Sequence, residues 1–377
     1  MRRPLGGLLV LALLALAACG DDETADPRSR PVPVDEDAAE HGDLLDAEPV
    51  GERTFKVRYA SESVAGEPIE VTGVVALPAD VADGAPVLTW AHGTTGIADV
   101  CAPSNDPESA VDFLRPFVDK GWVVVATDYE GLGTEGRHPY INGTSEGRGT
   151  LDIVRAAAGV PGGVEPGPVL IWGHSQGGHA ALFAGQLAPV WTPELDVVGV
   201  VAGAPATELP LIAKALQNGP FQGYLALGAA GLNAAEPERA DLSIVMTQQA
   251  IDLLDVVDTG CAGEVHEVYT KLPYEEFAIA DPGEVEPWRS ILMENDPGHA
   301  KTDIPIYLYQ GEADEQIPVA ASALLFERLC SLGQVVERHT YPDQSHAGVI
   351  SVAWQGFEAW MEARVAGMPV TTGCPGA

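Results

Sequence analysis

Basic residues are scarce in this sequence. Lys and Arg number 20 and Asp and Glu number 55, which gives a formal net charge of −35 at pH 7. A field of that sign repels phosphate backbones, so we expect no nucleic-acid partner. The charge favours solubility but does not indicate a fold.

Cysteine is also rare, and its spacing argues against some kinds of site. None of the 5 cysteines stands in Cys-x-x-Cys spacing, which disfavours a metal knuckle or a redox motif. Apart from Cys19, the chain contains Cys101, Cys261, Cys330 and Cys374. An even number of cysteines in an exported protein predicts two disulfide bonds, and the residues alone leave three pairings open.

The amino-terminal stretch MRRPLGGLLVLALLALAACG has the pattern of a secretory signal peptide. It has a basic start, an apolar run too short for a comfortable membrane span, and small residues at its end, so we assign residues 1–18 to the signal. Leu16-Ala17-Ala18-Cys19 resembles the bacterial lipobox, whose cysteine becomes lipid-modified after cleavage. The alternative is an ordinary cleavage site that contains a cysteine.

An acidic segment follows this signal. We assign residues 19–50 to a tether, because the segment contains Pro and few large apolar side chains and so cannot bury enough surface to fold alone. We therefore expect an exported protein. It is either a bacterial cell-envelope lipoprotein, held to the membrane through Cys19, or a secreted protein.

The rest of the chain alternates between strand and helix patterns. With 377 residues, 46% of them hydrophobic, it is long enough for one large α/β domain with an insertion or for two ordinary domains. Runs bounded by Gly and Pro predict strands at TFKVRYAS, PIEVTGVVALPA, APVLTWA, WVVVATD, PVLIW, DVVGVVAGAP, IPIYLYQG and VVERHTYP. Helix patterns such as DPESAVDFLRPFVDKG and SEGRGTLDIVRAAAGV lie between later strands. We expect a mostly parallel sheet with helices on both faces.

One interval breaks this alternation. Residues 207–302 contain several helix-like stretches and no clear strand, and two strand patterns follow them. This order favours an insertion within one domain over a separate carboxy-terminal domain. We divide the fold into a first core part at 51–206, a helical cap or lid at 207–302, and a second core part at 303–377.

The pentapeptide Gly173-His174-Ser175-Gln176-Gly177 matches G-x-S-x-G. A predicted strand precedes it and a helix pattern follows, which is the context of a nucleophile elbow. The alternative is a plain strand–helix turn with a glycine cap. A serine nucleophile needs a base, and the base needs an orienting carboxylate.

The order Ser, acid, His is usual for this arrangement. His346 lies in a loop after the last predicted strand, where the base is expected, although a solvated loop histidine would fit the same position. Asp314 follows the preceding strand and is the expected acid, with Glu312 and Glu315 as alternatives.

Two N–H donors are needed for the negative charge that develops on the substrate oxygen. The backbone N–H of Gln176 is one expected donor. Thr94 or Thr95, in the loop after APVLTWA, is expected to supply the other, unless that loop is a simple glycine turn.

His92 and His174 fit packing roles. Tyr129, Glu130 and Gly131 follow another strand, and they either line the site or only shape that turn. No metal or organic cofactor is expected.

The motifs AHGTTGIADVCAPS, DYEGLG, GHSQGG, YQGEADEQIP and SHAG together resemble the secretory lipase family of the α/β-hydrolases, the fungal lipase A type and its bacterial relatives. The resemblance covers residues 54–374. It implies the α/β-hydrolase fold and a triad of Ser175, Asp314 and His346. A lipid anchor is not part of the family's pattern.

The resemblance carries further expectations. It implies disulfides between Cys101 and Cys261 and between Cys330 and Cys374, and it identifies residues 207–302 with the family's helical lid. It also implies hydrolysis of triacylglycerols or simpler carboxylic esters through an acyl-enzyme. A peptidase or acyltransferase on the same fold is an alternative hypothesis, and so is a catalytically dead, surface-displayed binding protein.

Overall fold

A computed structural model describes residues 39–375 of the chain. The signal peptide and Cys19 lie outside the described residues. Within them, nine strands form one sheet in the order β1-β2-β3-β5-β4-β6-β7-β8-β9. The strands are β1 (Leu44–Pro49), β2 (Thr54–Glu62), β3 (Pro68–Ala76), β4 (Val87–Ala91), β5 (Val123–Thr127), β6 (Val169–His174), β7 (Val197–Gly203), β8 (Ile306–Gly311) and β9 (Val336–Tyr341).

The sheet is mostly parallel, as expected from the alternating pattern. Strands β5, β4, β6, β7, β8 and β9 pair in parallel, whereas β1, β2 and β3 form an antiparallel edge that joins β5. Every stretch for which the sequence predicts a strand contains one. The carboxyl ends of the parallel strands therefore meet along one edge of the sheet, where ligand sites form in open α/β folds.

Strand β1 corrects the expected extent of the tether, because residues 44–49 belong to the sheet. Ala47 pairs with Val57 of β2, and Leu44 and Ala47 pack against apolar side chains of the core. An edge strand needs only one hydrogen-bonded neighbour and little apolar surface. The acidic composition of this segment therefore does not prevent pairing.

Helices cover both faces of the sheet. They are α1 (Pro107–Asp112), α2 (Arg115–Asp119), α3 (Gly143–Ala157), α4 (Gln176–Trp191), α5 (Leu209–Ala215), α6 (Gly223–Ala235), α7 (Gln248–Ile251), α8 (Asp255–Thr259), α9 (Ala262–Tyr269), α10 (Tyr274–Phe277), α11 (Trp288–Glu294), α12 (Val319–Ser331) and α13 (Gly348–Val365). Alternate residues of β6 divide between the faces. Leu170 and Trp172 pack with α2 and α13, whereas Ile171 packs with α4 and α12.

The stretch predicted as one helix around Pro116 forms two short helices, α1 and α2. Asp106 caps α1 by accepting a hydrogen bond from the Ser109 N–H. Pro116 lies in the first turn of α2, where its missing N–H removes no hydrogen bond. The proline therefore starts a new helix instead of lying inside a continuous one.

The interval between β7 and β8 contains helices α5 to α11, which we call the helical insertion. Its apolar side chains form a cluster of their own, which includes Leu227, Val257 and Ile291. Ile97, which follows β4, and Ile317, which follows β8, pack into the same cluster. The helical insertion therefore covers the carboxyl edge of the sheet.

Two disulfides tie chain segments together, with the pairing that the resemblance implies. Cys101–Cys261 joins the loop after β4 to the helical insertion across 160 residues of sequence. Cys330–Cys374 joins α12 to the carboxy-terminal segment across 44 residues. Next to the first bond, the Ala262 N–H donates to the Thr95 carbonyl at 2.8 Å. The disulfide thus lies beside the loop expected to carry an oxyanion donor.

Between residues 39 and 375, the helices are too short or too polar for any of them to cross a lipid bilayer.

We expect each disulfide to contribute about 2–4 kcal/mol to the free energy of unfolding by restricting the unfolded chain. Since the sequence separations are 160 and 44, Cys261→Ser should cost about 1 kcal/mol more than Cys374→Ser. Thermal and denaturant unfolding without reductant measures both. As a control, Cys101→Ser combined with Cys261→Ser should lose no more stability than either single variant. Unchanged unfolding of Cys261→Ser would contradict the expectation.

Candidate active site

Ser175 lies at the sharp turn between β6 and α4. Its backbone has φ +62° and ψ −123°, a conformation that a residue with a side chain adopts only under strain. Three backbone hydrogen bonds hold it there. The Ser175 N–H donates to the Gly203 carbonyl at 2.9 Å, and the Ser175 carbonyl accepts from the N–H groups of His179 and Ala206. This is the geometry of a nucleophile elbow.

The glycines on either side of Ser175 are required by close backbone contacts. A Cβ atom on Gly177 would lie 1.8 Å from the carbonyl oxygen of Ala91, at the end of β4. A Cβ atom on Gly173 would lie 1.9 Å from the carbonyl oxygen of Gly177. The G-x-S-x-G spacing is therefore a steric requirement of the turn.

His346 and Asp314 meet at the same edge of the sheet. His346 lies in the loop between β9 and α13, and Asp314 follows β8. The Nδ1 atom of His346 is 2.8 Å from Oδ2 of Asp314. Oδ1 of Asp314 accepts from the backbone N–H groups of Gln316 and Ile317 at 2.9 and 2.8 Å.

These contacts decide how the pair is protonated. Burial alone would raise the pKa of the Asp314 carboxyl, but the hydrogen bond and charge of His346, with the two backbone donors, hold that pKa below its ordinary value. The ionised carboxylate thus accepts the Nδ1 proton of His346. The Nε2 atom of the ring is then the one that can accept a proton.

The two alternative acids have other partners. Oε1 of Glu312 accepts from the Thr340 hydroxyl at 2.8 Å. Oε2 of Glu315 accepts from the backbone N–H of His346 at 3.1 Å. Glu315 thus contacts the backbone of the histidine, whereas Asp314 contacts its ring.

His174 connects the elbow to His346. The two rings are stacked obliquely, with their centroids 4.6 Å apart. The Tyr309 hydroxyl accepts from Trp172 Nε1 at 3.3 Å and lies 3.2 Å from His174 Nδ1, so its own proton is available to that nitrogen. Burial lowers the pKa of His174 to about 3. The ring of His174 is therefore neutral where it packs against His346. Because His174 precedes Ser175 in the chain, this contact links the elbow to His346.

The loop after β4 runs beside the elbow. A Cβ atom on Gly93 would lie 3.8 Å from the Cβ atom of Ser175. The Thr94 hydroxyl is 2.7 Å from that of Tyr140, and the Thr95 carbonyl is fixed by Ala262. Gln176 occupies the first position of α4 and is 1% exposed. Gln176 thus follows Ser175 in the chain, and Gly93, which precedes Thr94, approaches the serine from the loop after β4.

An apolar cavity opens at Ser175 and Gln176. It encloses about 920 Å³ of empty space, part of it open to solvent. Its walls come mostly from the helical insertion and include Tyr224, Gly228 and Trp288. The sequence shows only apolar helical patterns in that interval, so it did not identify these residues as lining a pocket.

Glu130 and Gly131 line a different cavity, together with Arg58 and Glu70. Burial raises the pKa of Glu130 to about 7. Tyr129 is fully buried, and its hydroxyl donates to the His92 carbonyl at 3.0 Å. None of the three residues lines the apolar cavity at Ser175. The contact between Tyr129 and the His92 carbonyl instead fits the alternative that these residues shape the turn after β5.

Sequence reasoning missed a buried polar group behind the elbow, formed by His138, Glu146 and His179 around Gln176. These residues come from two separate segments of the chain, 138–146 and 176–179, and match no motif. Among residues 39–375, no cluster of His, Cys, Asp and Glu is arranged to hold a metal ion.

Comparison with known proteins identifies the family. Residues 109–373 match the secretory lipase family. Lipase A of Arthroderma benhamiae is 25% identical over 348 residues, which span 85% of this chain and 72% of that protein. The secreted triacylglycerol lipase LIP4 of Malassezia globosa is 27% identical over 347 residues, 85% of this chain and 73% of that protein.

Solved structures with similar folds include a lipase and an esterase. Candida antarctica lipase A in its closed state aligns with a TM-score of 0.78 and 20% identity, covering 89% of this chain and 85% of that one. A ligand-bound rice cell wall degrading esterase, LipA of Xanthomonas oryzae, aligns with a TM-score of 0.69 and 18% identity, covering 87% and 97%. The expected fold is thereby confirmed. The chain belongs to the secretory lipase family and is a carboxylic-ester hydrolase with the α/β-hydrolase fold.

Proposed function

We propose that the chain is an exported lipase or esterase that cleaves acyl esters, triacylglycerols among them, with Ser175, His346 and Asp314 as its catalytic triad. The observation that carries the proposal is the 2.8 Å contact between His346 Nδ1 and Asp314 Oδ2, beside a serine held in an elbow. The pKa of Asp314, lower than usual, supports its role as the carboxylate that orients the imidazole.

In this mechanism His346 Nε2 takes the proton of the Ser175 hydroxyl as Oγ attacks the ester carbonyl. The carbonyl oxygen becomes an oxyanion, which the Gln176 N–H and an N–H of the Thr94–Thr95 segment stabilise. The C–O bond to the alcohol then breaks, and His346 returns the proton to the leaving alkoxide. Water, deprotonated by His346, attacks the acyl-enzyme and releases the acid and the free serine.

The apolar cavity supports an acyl chain as the group it binds. Its lining is almost entirely aliphatic or aromatic, and burial of a CH₂ group is favourable by about 0.8 kcal/mol. A peptide would bring polar backbone groups that such walls cannot hydrogen-bond. The cavity therefore favours an ester of a fatty acid over the peptidase alternative.

The amino-terminal sequence supports export and a lipid anchor. Residues 1–18 have the signal pattern and Cys19 stands at the lipobox position. Since β1 begins at Leu44, the proposed tether shortens to residues 19–43. In this proposal Cys19 holds the enzyme to a bacterial membrane, and the tether separates it from the bilayer.

We expect Ser175→Ala to lower kcat by a factor on the order of 10⁴ or more, because no other hydroxyl would replace the nucleophile. Asp314→Asn should lower it by about 10⁴, through the wrong imidazole tautomer. Hydrolysis of p-nitrophenyl butyrate and labelling by a fluorophosphonate probe measure both. Glu312→Gln and Glu315→Gln are the matched controls and should remain active. Full activity of Asp314→Asn with loss in either control would reassign the acid.

We expect Gly228→Leu to shorten the range of acyl chains accepted. A Cβ atom at this cavity position meets no heavy atom within 4 Å, so the side chain can fill the space of about three CH₂ groups. The loss is then about 2.4 kcal/mol, or roughly 50-fold in kcat/KM, for long-chain p-nitrophenyl esters. Acetate and butyrate esters should be hydrolysed nearly as before.

The matched control for this variant is Gly263→Leu. Gly263 is also helical and also has open space at its Cβ position, but it does not line the cavity. Its substitution should leave the chain-length profile unchanged. Equal losses on short and long esters in Gly228→Leu would argue against the cavity as the acyl site.

We expect the mature protein from its native host to begin at an acylated Cys19. Mass spectrometry of the amino-terminal peptide measures this directly. As a control, Cys19→Ser should abolish the modification and release the enzyme from the membrane fraction. An unmodified amino terminus at another residue would remove the anchor and leave export intact.

A further inference from the structure

We propose that Glu146 is a positioning residue, which fixes the oxyanion residue Gln176 through a directed chain of buried hydrogen bonds ending on the helical insertion. The inference rests on the proposed function in one respect, the role of the Gln176 N–H. The inference assigns a positioning function to the buried side chains around Gln176, which do not exchange protons with the substrate.

Glu146 lies in the first turn of α3 and is fully buried. Its Oε1 atom accepts from the side-chain amide of Gln176 at 2.8 Å and from the backbone N–H of Ile141 at 3.0 Å. Its Oε2 atom is 2.7 Å from Nδ1 of His179. Both carboxylate oxygens are therefore engaged.

The partners of His179 determine its protonation. Its Nε2 atom is 2.8 Å from the carbonyl oxygen of Asn295, which can only accept, so Nε2 carries a proton. Burial lowers the pKa of His179, but the charge of Glu146 and the hydrogen bonds to Glu146 and Asn295 outweigh it and raise that pKa overall. The raised pKa favours a protonated ring, in which Nδ1 also donates to the Glu146 carboxylate.

His138 fixes the other side of the Gln176 amide. Its Nδ1 atom is 2.8 Å from the carbonyl oxygen of Glu130, so Nδ1 carries the proton of the neutral ring, whose pKa burial lowers to about 4. Its Nε2 atom accepts from the Gln176 amide at 2.9 Å. The distance from this Nε2 to Glu146 Oε1 is 4.0 Å, too long for a hydrogen bond.

With His179 protonated, each bond in the chain has one direction. The Gln176 amide donates one proton to Glu146 and the other to His138, and His179 donates to Glu146 and to Asn295. Asn295 is the cap residue that follows α11, the last helix of the helical insertion, and its own side chain accepts from the Gly143 N–H at the start of α3. The chain therefore joins α3, the insertion and the residue that follows the nucleophile.

This arrangement predicts opposite results for two substitutions at one position. In Glu146→Gln, the amide oxygen still accepts from Gln176, and the new amide N–H donates to Nδ1 of a neutral His179. All the hydrogen bonds survive without charge. In Glu146→Leu, the Gln176 amide loses one of its two acceptors, so the first turn of α4 is no longer fixed from that side.

Asp152→Leu is the matched control for a general loss of stability. Asp152 lies two turns further along α3, is fully buried, and accepts from Ser61, Trp191 and Arg155. Asp152→Leu should lower the melting temperature about as much as Glu146→Leu does. Asp152 makes no contact with Gln176, so the oxyanion residue should be unaffected.

The experiment measures kcat and KM for p-nitrophenyl butyrate and inhibition by phenylboronic acid, which forms a tetrahedral adduct at an active serine. For Glu146→Leu we expect kcat to fall at least about tenfold, compared with the 10²–10³-fold typical for loss of an oxyanion donor. KM should change little, and phenylboronic acid should bind correspondingly more weakly. Glu146→Gln should restore nearly all of kcat, and Asp152→Leu should keep it.

An unchanged kcat in Glu146→Leu, or an equal fall in Asp152→Leu, would overturn the inference. If Glu146→Leu does not fold, His138→Phe tests the inference in its place. The phenyl ring keeps the stacking on Tyr129, and the substitution removes the other acceptor of the Gln176 amide. It should lower kcat at constant KM, and an unaltered kcat would count against the chain. Since Ser175→Ala tests the triad separately, either idea can fail while the other stands.

Discussion

The close approach of α4 to the end of β4 is the constraint on which the site depends. Gly177 lies so near the Ala91 carbonyl that no side chain fits, and Ser175 between the two glycines has a positive φ. Such strain costs about 1–3 kcal/mol and persists only when the surroundings hold it. Here β7 holds it through the Gly203 carbonyl. The rigid edge of a parallel sheet thus supplies both the exposure of the serine and the fixed position of the next N–H.

The partners of each histidine near this edge decide which one can serve as base. Asp314 engages Nδ1 of His346 and leaves its Nε2 available. His174 is neutral beside Tyr309, with its pKa lowered to about 3 by burial. His179 has both nitrogens occupied, by Glu146 and Asn295. A neighbouring carboxylate is therefore not enough to make a base, since the other ring nitrogen must also be free to accept.

Local signals were enough to predict eight of the nine described strands and the elbow at Ser175, whereas the triad of Ser175, Asp314 and His346 stays a prediction. Strand β1 was missed because an acidic edge strand gains its stability from backbone pairing, which leaves no apolar pattern. The group around Gln176 was missed for a different reason. His138, Glu146 and His179 come together only when α3 and α4 pack, and each is an unremarkable polar residue in its own segment. The cysteine pairing came from family resemblance, since spacing alone allowed every combination.

The helical insertion is fixed to the core by polar and covalent bonds at its edges and by apolar contacts in between. Arg328 of α12 donates to Glu208 at 2.6 Å and to Asp296 at 2.8 Å, so one side chain holds both ends of the insertion, while Cys101–Cys261 holds a point between them. The cavity walls are apolar, and apolar contact has no preferred direction. Bonds that require exact geometry therefore position the insertion relative to Ser175, whereas the cavity surface proposed to bind the acyl chain can accommodate chains of different shape.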